Sequence, residues 1–135
     1  MSWAQSLIKL AAYEVEVLQK RLGEIVERRV AAEARLASLD AEGALETAFS
    51  AEDARAGFYR IGYLEGLKAR KAAALAQIAE LRGEEEGARD ALAEAFEGQK
   101  KYEQVAETAR RLELKAESRR DAAALDELGL RKAAR

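Results

Sequence analysis

A repeat of apolar residues, placed alternately four and three positions apart, runs through the first part of the chain. Ten of its positions are apolar and one, Arg29, is charged. The repeat consists of Ala4, Ile8, Ala11, Val15, Leu18, Leu22, Ile25, Arg29, Ala32, Leu36 and Leu39. This spacing keeps a narrow apolar stripe on one side of an α-helix, and it predicts a helix that packs along a second helix as a left-handed coiled coil. The residues expected to be most buried are Leu18, Leu22, Ile25, Leu36 and Leu39.

The composition of the 135 residues agrees with long helices. Charged residues make up 36% and aromatic residues 6%, so little bulk is present to fill a thick core. The apolar 49% comes mainly from Ala and Leu, which favour helices. The chain contains no Pro, so no position must break a helix by removing a backbone N–H. We therefore expect an all-α protein.

The sequence changes character between about residues 43 and 66. Four aromatic residues, Phe49, Phe58, Tyr59 and Tyr63, stand there among several glycines. We predict one antiparallel two-helix coiled-coil hairpin domain over 1–135, with a first arm at about 4–48, a turn at about 48–57 and a longer second arm at about 58–130. The alternative is a single continuous helix, in which each interior Gly would cost about 1 kcal/mol.

The second arm carries a weaker stripe, which Lys71 and Glu85 interrupt. If the chain reverses near residue 52, residue i faces about 105 − i, and Leu39 lies near Leu67. Residues beyond about 104 then have no partner in the first arm. A displaced apolar stripe nevertheless continues there, at Val105, Ala109, Leu112, Ala116 and Ala123. Two interpretations stay open: a face that binds another protein, or a solvated helix.

The residue types argue against several functions. The formal net charge of −2 disfavours nucleic-acid binding, which needs a basic surplus. The chain has neither Cys nor His and no nucleophile or phosphate-binding motif, so we expect a protein without cofactor, metal or enzymatic activity. The neighbouring carboxylates at residues 84–86 are interpreted as a solvated acidic surface and not as a cation site. No apolar run approaches the ~20 residues of a spanning helix, and the start does not read as a signal peptide, so an intracellular protein without a transmembrane segment is expected.

Two stretches resemble a known family. The first runs from Glu14 through Arg21-Leu22-Gly23-Glu24, and the second, from Arg119 to Lys132, includes a Leu125-Asp126-Glu127 step and ends on a basic pair. Together with the chain length, they resemble FliJ, the coiled-coil component of the bacterial flagellar type III export apparatus. The resemblance implies an antiparallel two-helix coiled coil, similar to the central stalk of rotary ATPases. A related protein from a virulence secretion system would look nearly the same.

The resemblance also implies partners and a place of action. In the family, the end that bears both termini engages the hexameric ring of the export ATPase FliI, the other end reaches the export gate FlhA, and contacts with FliH and with export chaperones are attributed to it. A cytoplasmic location, peripheral at the inner face of the cell membrane, is therefore expected. Leu39, Tyr63 and Leu67 match the family's gate-contact patch, although Glu42 and Glu46 stand where that patch has aromatic residues.

The paired arginines of the second arm supply the other candidate site. A basic pair can be a solvated surface or can dock on an acidic partner. With the ATPase as the implied partner, we expect it to be bound by Arg110, Arg111, Arg119 and Arg120. A different class of function also fits the repeat, namely a structural coiled coil that assembles with itself.

Overall fold

Two long α-helices make up the described part of the chain. The computed structural model describes residues 3–50 and 54–134, with side chains at 3–49 and 59–134. Helix α1 spans Trp3–Ser50 and helix α2 spans Ala54–Ala134, and these ranges contain no strand. Because Arg29 of α1 bonds to Glu85 of α2 and Asp40 pairs with Lys71, the helices run antiparallel. The predicted all-α hairpin with a longer second helix is confirmed, and the single continuous helix is wrong.

The residues group into two units. One contains Glu16–Leu92, and the other contains Met1–Val15 together with Ala93–Arg135. The predicted turn at 48–57 includes residues 51–53, which lie outside the described residues. The assignment of a single domain to 1–135 stays a prediction.

The core of the unit Glu16–Leu92 is a narrow seam. One cluster joins Ala32 to Ile78 and Leu81, with Leu36 packed against it. A second cluster contains Leu39, Leu67 and Ala74, with Leu36, Tyr63 and Leu64 packed against it. The apolar burial expected from the α1 repeat is therefore present, and it provides the main attraction between the helices.

Burial along the seam differs from the sequence prediction in one respect. Ile25 and Leu39 are buried as expected, but Leu18, Leu22 and Leu36 are only half-buried. The most enclosed side chains are instead Leu67 and Leu81 of α2, each 2% exposed. In α1 the buried residues Ile25, Ala32 and Leu39 recur every seven positions, whereas the alternate stripe position carries Leu22 and Leu36. The series does not decide burial by itself, because Leu18 shares the sevenfold series of Ile25 and is half-buried, whereas Val15 shares the series of Leu22 and is buried.

The register of the two helices also differs from the prediction. A reversal near residue 52 would put Arg29 opposite Ala76, but Arg29 contacts Glu85, nine residues further along α2. Lys71 likewise pairs with Asp40 at 2.9 Å. The observed register brings Arg29 and Glu85 together, so neither is enclosed without a partner. Leu39 still shares a cluster with Leu67, together with Ala74 one heptad further along α2.

Two of the charged residues in the seam, Arg29 and Glu85, belong to a network of hydrogen-bonded ion pairs. Arg29 Nε donates to a Glu85 carboxylate oxygen at 2.6 Å, and Arg29 Nη1 donates to Glu33 at 3.1 Å. Arg82 also donates to Glu33, and Arg89 donates to Glu85 at 2.8 Å. The Glu85 side chain is 11% exposed and that of Arg29 is 23% exposed. Arg29 and Glu85 thus have two partners each, which offsets the cost of removing them from water.

In the other unit, α1 covers more of α2 than predicted. Ala4, Ala11 and Val15 are buried there, and Ala4 and Ile8 line a groove together with residues of α2 from Glu103 to Glu113. The prediction that α2 loses its partner beyond about residue 104 is therefore wrong. Each described residue from Arg110 to Ala134 is nevertheless exposed, and we call this segment the C-terminal extension.

Three helical glycines give a prediction about stability. A Cβ at Gly83 or at Gly87 would meet no atom within 4 Å, whereas a Cβ at Gly43 would lie 2.6 Å from Leu67 Cδ2. Because Gly in a helix interior costs about 0.5–1 kcal/mol relative to Ala, we expect Gly83→Ala and Gly87→Ala each to raise the free energy of unfolding by that amount. Gly43→Ala should gain less, since Leu67 must move. Urea denaturation checks this, and an equal gain at Gly43 would contradict the packing at Leu67.

Candidate functional site

Apolar side chains are exposed near the end of α1 and the start of α2. Leu45, Phe49, Tyr59 and Ile61 are all more than half exposed. Leu45 and Phe49 line one pocket with Tyr63, and we call these three residues the tip surface. Glu42, Leu45, Phe49 and Tyr63 are among the residues that line a shallow pocket there. Phe58, which the sequence also suggested, lies outside the described side chains. Grouped exposed apolar residues of this kind mark contact sites.

Tyr63 is the best-fixed side chain of the tip surface. Its ring packs against the cluster of Leu39, Leu67 and Ala74, and its hydroxyl donates a hydrogen bond to the Glu42 carboxylate. The Arg70 guanidinium lies 5.9 Å from the ring centroid and 4.0 Å from Glu42. The hydrogen bond to Glu42 raises the pKa of Tyr63, because ionised Tyr63 would lose that bond and face a carboxylate. Tyr63 therefore presents a neutral, half-buried ring.

The other two predicted gate residues are enclosed in the hairpin. Leu39 is 7% exposed and Leu67 is 2% exposed. They hold the two helices together and position Tyr63, so a partner at this surface would meet Tyr63 and its exposed neighbours first. That the three residues contact a gate protein stays a prediction.

Leu45 and Ile61 are exposed residues that the sequence reading did not select. A signal for Leu45 was present, because the stripe of α1 continues from Leu39 to Gly43 and Glu46 and so leaves Leu45 off the seam. An apolar residue off the stripe near a turn is a candidate contact residue.

The four predicted ATPase-binding arginines lie on the C-terminal extension. Arg110 and Arg111 both pair with Glu107, at 3.2 and 3.3 Å, and hydrogen bonding to Arg110 lowers the pKa of that carboxyl. Arg119 and Arg120 are exposed and, within the described residues, have no ion-pair partner. At 100° per residue, Arg111 and Arg119 share one side of α2, whereas Arg110 and Arg120 share another. The structure therefore brings the four onto one helix but not onto one face.

A groove also opens between α1 and α2 in this unit. It has a volume of about 560 Å³ and is lined by Trp3, Lys101, Gln104, Val105, Thr108, Ala109 and Leu112. Trp3 is 61% exposed and Leu112 is 62% exposed. The sequence pattern predicted the stripe of Val105, Ala109 and Leu112 but gave no sign that Trp3 lies beside it. We call this feature the Trp3 groove.

Neither a metal-binding group nor a membrane-spanning helix is found in the part of the chain that the structure describes. Residues 3–50 and 54–134 hold no group of three or more His, Cys, Asp or Glu side chains placed to bind a metal ion. No helix within those ranges has the length and apolarity to cross a membrane.

The chain is similar in sequence to two flagellar proteins. Proteins named Flagellar FliJ protein, from Caulobacter vibrioides strains NA1000/CB15N and CB 15, are each 54% identical to it over 132 residues. The matched region covers 98% of this chain and 95% of each relative. No family model matches the sequence, and no solved structure matches the fold.

Proposed function

The chain belongs to the FliJ family of flagellar proteins, and on that premise we propose that it is a non-enzymatic adaptor of the bacterial flagellar type III protein export apparatus. In this role it binds the ring of the export ATPase FliI and the export gate FlhA, with FliH and export chaperones as further partners. It acts in the cytoplasm, at the inner face of the cell membrane. The observation that carries the proposal is the 54% identity over nearly the full length of proteins with this name.

The C-terminal extension supports the ATPase contact. All its described residues are exposed, and residues 110–135 contain eight Lys and Arg but five Asp and Glu, although the whole chain is acidic. A helix in a protein gains most of its stability from packing against other elements, so an exposed helix of this length suits a segment that packs when a partner binds. Surface cations guide docking toward an acidic partner. We assign this contact to Arg110, Arg111, Arg119 and Arg120.

The tip surface supports the gate contact. It lies in the unit Glu16–Leu92, whereas the C-terminal extension lies in the other unit, so the two surfaces belong to different parts of the molecule. Aromatic side chains held in place by packing are favoured at the centres of interfaces. We assign the gate contact to Tyr63, positioned by Leu39 and Leu67.

Capture on the purified ATPase tests the assignment of the two surfaces. We expect Arg→Glu at residues 110, 111, 119 and 120 to abolish most of the capture, and raised salt to weaken capture of the unchanged protein. Tyr63→Ala should leave capture intact.

A matched control separates position from charge. Arg35 and Lys68 are exposed residues of the other unit, and the variant with both changed to Glu is compared with the variant in which only Arg119 and Arg120 are changed to Glu, since the two alter the net charge equally. We expect capture of the variant at Arg35 and Lys68 to match that of the unchanged protein. If Tyr63→Ala loses the ATPase while the arginine variant keeps it, the two surfaces are assigned the wrong way round. If capture occurs but no variant and no salt concentration changes it, the assignment to the four arginines fails. If the unchanged protein is not captured at any salt concentration, the adaptor proposal fails, and self-assembly of the chain as a structural coiled coil becomes the better interpretation.

A further inference from the structure

The Trp3 groove has the form of a binding site for one more helix. We propose that it binds an amphipathic helix with acidic flanks, supplied by a partner protein and lying along α2 as the third helix of a short coiled coil. This inference goes beyond the assignment of partners, because it states how a partner is held and does not depend on which protein supplies the helix.

The apolar residues on the floor of the groove are spaced so that a second helix can pack against them. Val105, Ala109 and Leu112 follow one another at four and three residues, as the seam positions of a coiled coil do. Val105 is 47% exposed and Leu112 is 62% exposed, so both retain apolar area that a third helix would cover. Trp3 forms the opposite wall, and its large half-open ring is the kind of side chain that dominates binding energy once buried.

The charges around the groove differ between its two sides. Lys101 is the one ionisable residue among those that line the Trp3 groove. A neighbouring pocket, which shares Trp3 and Ala109 with the groove, is lined by Glu103, Glu107 and Glu113 as well as Arg110. These acidic side chains of α2 line that neighbouring pocket and not the Trp3 groove.

The basic character of the groove wall continues beyond it. Gln104 and Thr108 line the groove, and steps of three or four residues lead from them along the same side of α2 to Arg111, Lys115 and Arg119. No Asp or Glu stands at these steps, and Arg111 also pairs with Glu107. A helix in the groove would thus have basic side chains along one flank, which favours an acidic helix and disfavours a basic one.

The same argument disfavours a second copy of this chain as the occupant. A second copy that used this face would bring its own Lys101, Arg111, Lys115 and Arg119 to the contact, so like charges would meet. The occupant we propose is therefore a helix from a different protein, with apolar residues three and four apart and Glu or Asp beside them.

Trp3 provides a direct test, because it is the one Trp in the chain. The full chain is titrated with two designed helical peptides of about three heptads, which share the same leucine stripe. One carries Glu at its flanking positions and the other carries Lys. We expect the acidic peptide to shift the Trp3 emission to the blue in a saturable manner, and the basic peptide to leave it unchanged.

A pair of leucines gives the matched control. Leu112 lines the groove, whereas Leu114, which is 56% exposed, lies two residues on and points to the opposite side of α2. We expect Leu112→Asp to weaken binding of the acidic peptide about tenfold or more, and Leu114→Asp to leave it unchanged. Both positions are exposed, so both variants are expected to fold.

Four outcomes would overturn the proposal. They are equal binding of the two peptides, binding of neither, binding of the acidic peptide without a change in Trp3 emission, and equal loss in the two leucine variants. A blue shift that grows with the concentration of the chain alone would show a second copy in the groove and would overturn it too. None of these measurements uses the ATPase, so failure of this inference and failure of the proposed adaptor function are distinguishable.

Discussion

Leu81→Ala is expected to lower the free energy of unfolding by about 2–5 kcal/mol, the range found for buried Leu→Ala changes. Leu81 is 2% exposed and packs with Ala32 and Ile78, so truncation leaves a cavity that two rigid helices can close only in part. Ile25 of α1 is 5% exposed, and Ile25→Ala should lower the free energy of unfolding by about 2–4 kcal/mol. Urea denaturation followed by circular dichroism at 222 nm (the helical signal) measures both changes.

Leu130→Ala is the control for this prediction. Leu130 is 72% exposed on the C-terminal extension, where α1 does not cover it, so the change should stay within about 0.5 kcal/mol. A loss at Leu130 as large as that at Leu81 would mean that the extension packs against another helix in solution. In that case, sedimentation of the chain over a range of concentrations would identify self-association.

The α1 seam could be predicted from the sequence because it depends on local periodicity alone. Ala4, Ala11, Ile25 and Leu39 of the repeat are buried, as a stripe of that spacing requires. Which large residues lie deepest was not predictable from α1 itself. Burial at each position depends on how the partner helix sits opposite it, and the deepest side chains, Leu67 and Leu81, belong to that partner.

The register was harder to predict, because it depends on contacts between distant residues. In a register calculated from the turn position, Arg29 and Glu85 do not meet, and each is a charged residue that interrupts the apolar stripe of its own helix. In the structure they bond to each other at 2.6 Å, and their pairing accounts for an offset that the turn alone does not reveal. A search for the register that pairs opposite charges within the seam would have found it, since enclosed charges need partners.

The candidate surfaces were predictable in kind but not in detail. Unusual aromatic content near the turn indicated a contact surface, and Tyr63 is indeed half-buried beside exposed Leu45 and Phe49. The Trp3 groove was not predictable, because it depends on Trp3 of α1 lying beside Val105 and Leu112 of α2. That juxtaposition follows from the register, and an error of several residues in the register removes it.

The pairing of Arg29 with Glu85 leads to the second prediction of a large effect. Arg29→Leu and Glu85→Leu should each lower the melting temperature strongly, whereas the variant with both changes should recover most of the loss. Each single change leaves one enclosed charge without its partner across the seam, and the double change leaves an apolar pair that suits the coiled coil. A double-mutant cycle of thermal denaturation measures the coupling. Additive losses from the two changes would show that the pair contributes no coupled stability.

Glu85 also makes the stability depend on pH. Hydrogen bonds from Arg89, then from Arg29, lower the pKa of Glu85 in the folded protein. The unfolded chain therefore binds a proton at Glu85 more readily, so the stabilisation is present above about pH 4.5 and is lost as the pH falls through the folded value. Glu33, whose pKa Arg82 and Arg29 lower in the same way, adds a second such group.

Glu85→Gln isolates the share of this one carboxyl in the acid sensitivity. Gln has nearly the shape of Glu but no charge to titrate, so the variant should be less stable at pH 7 and should lose less stability between pH 5 and pH 3. Glu86→Gln, an exposed neighbour of the same type, is the matched control and should follow the unchanged protein at each pH. Melting temperatures across that pH range measure the difference. If Glu85→Gln and the unchanged protein lose stability in parallel, protonation of Glu85 is not what weakens the seam in acid, and its bond to Arg29 sets the register without stabilising the fold.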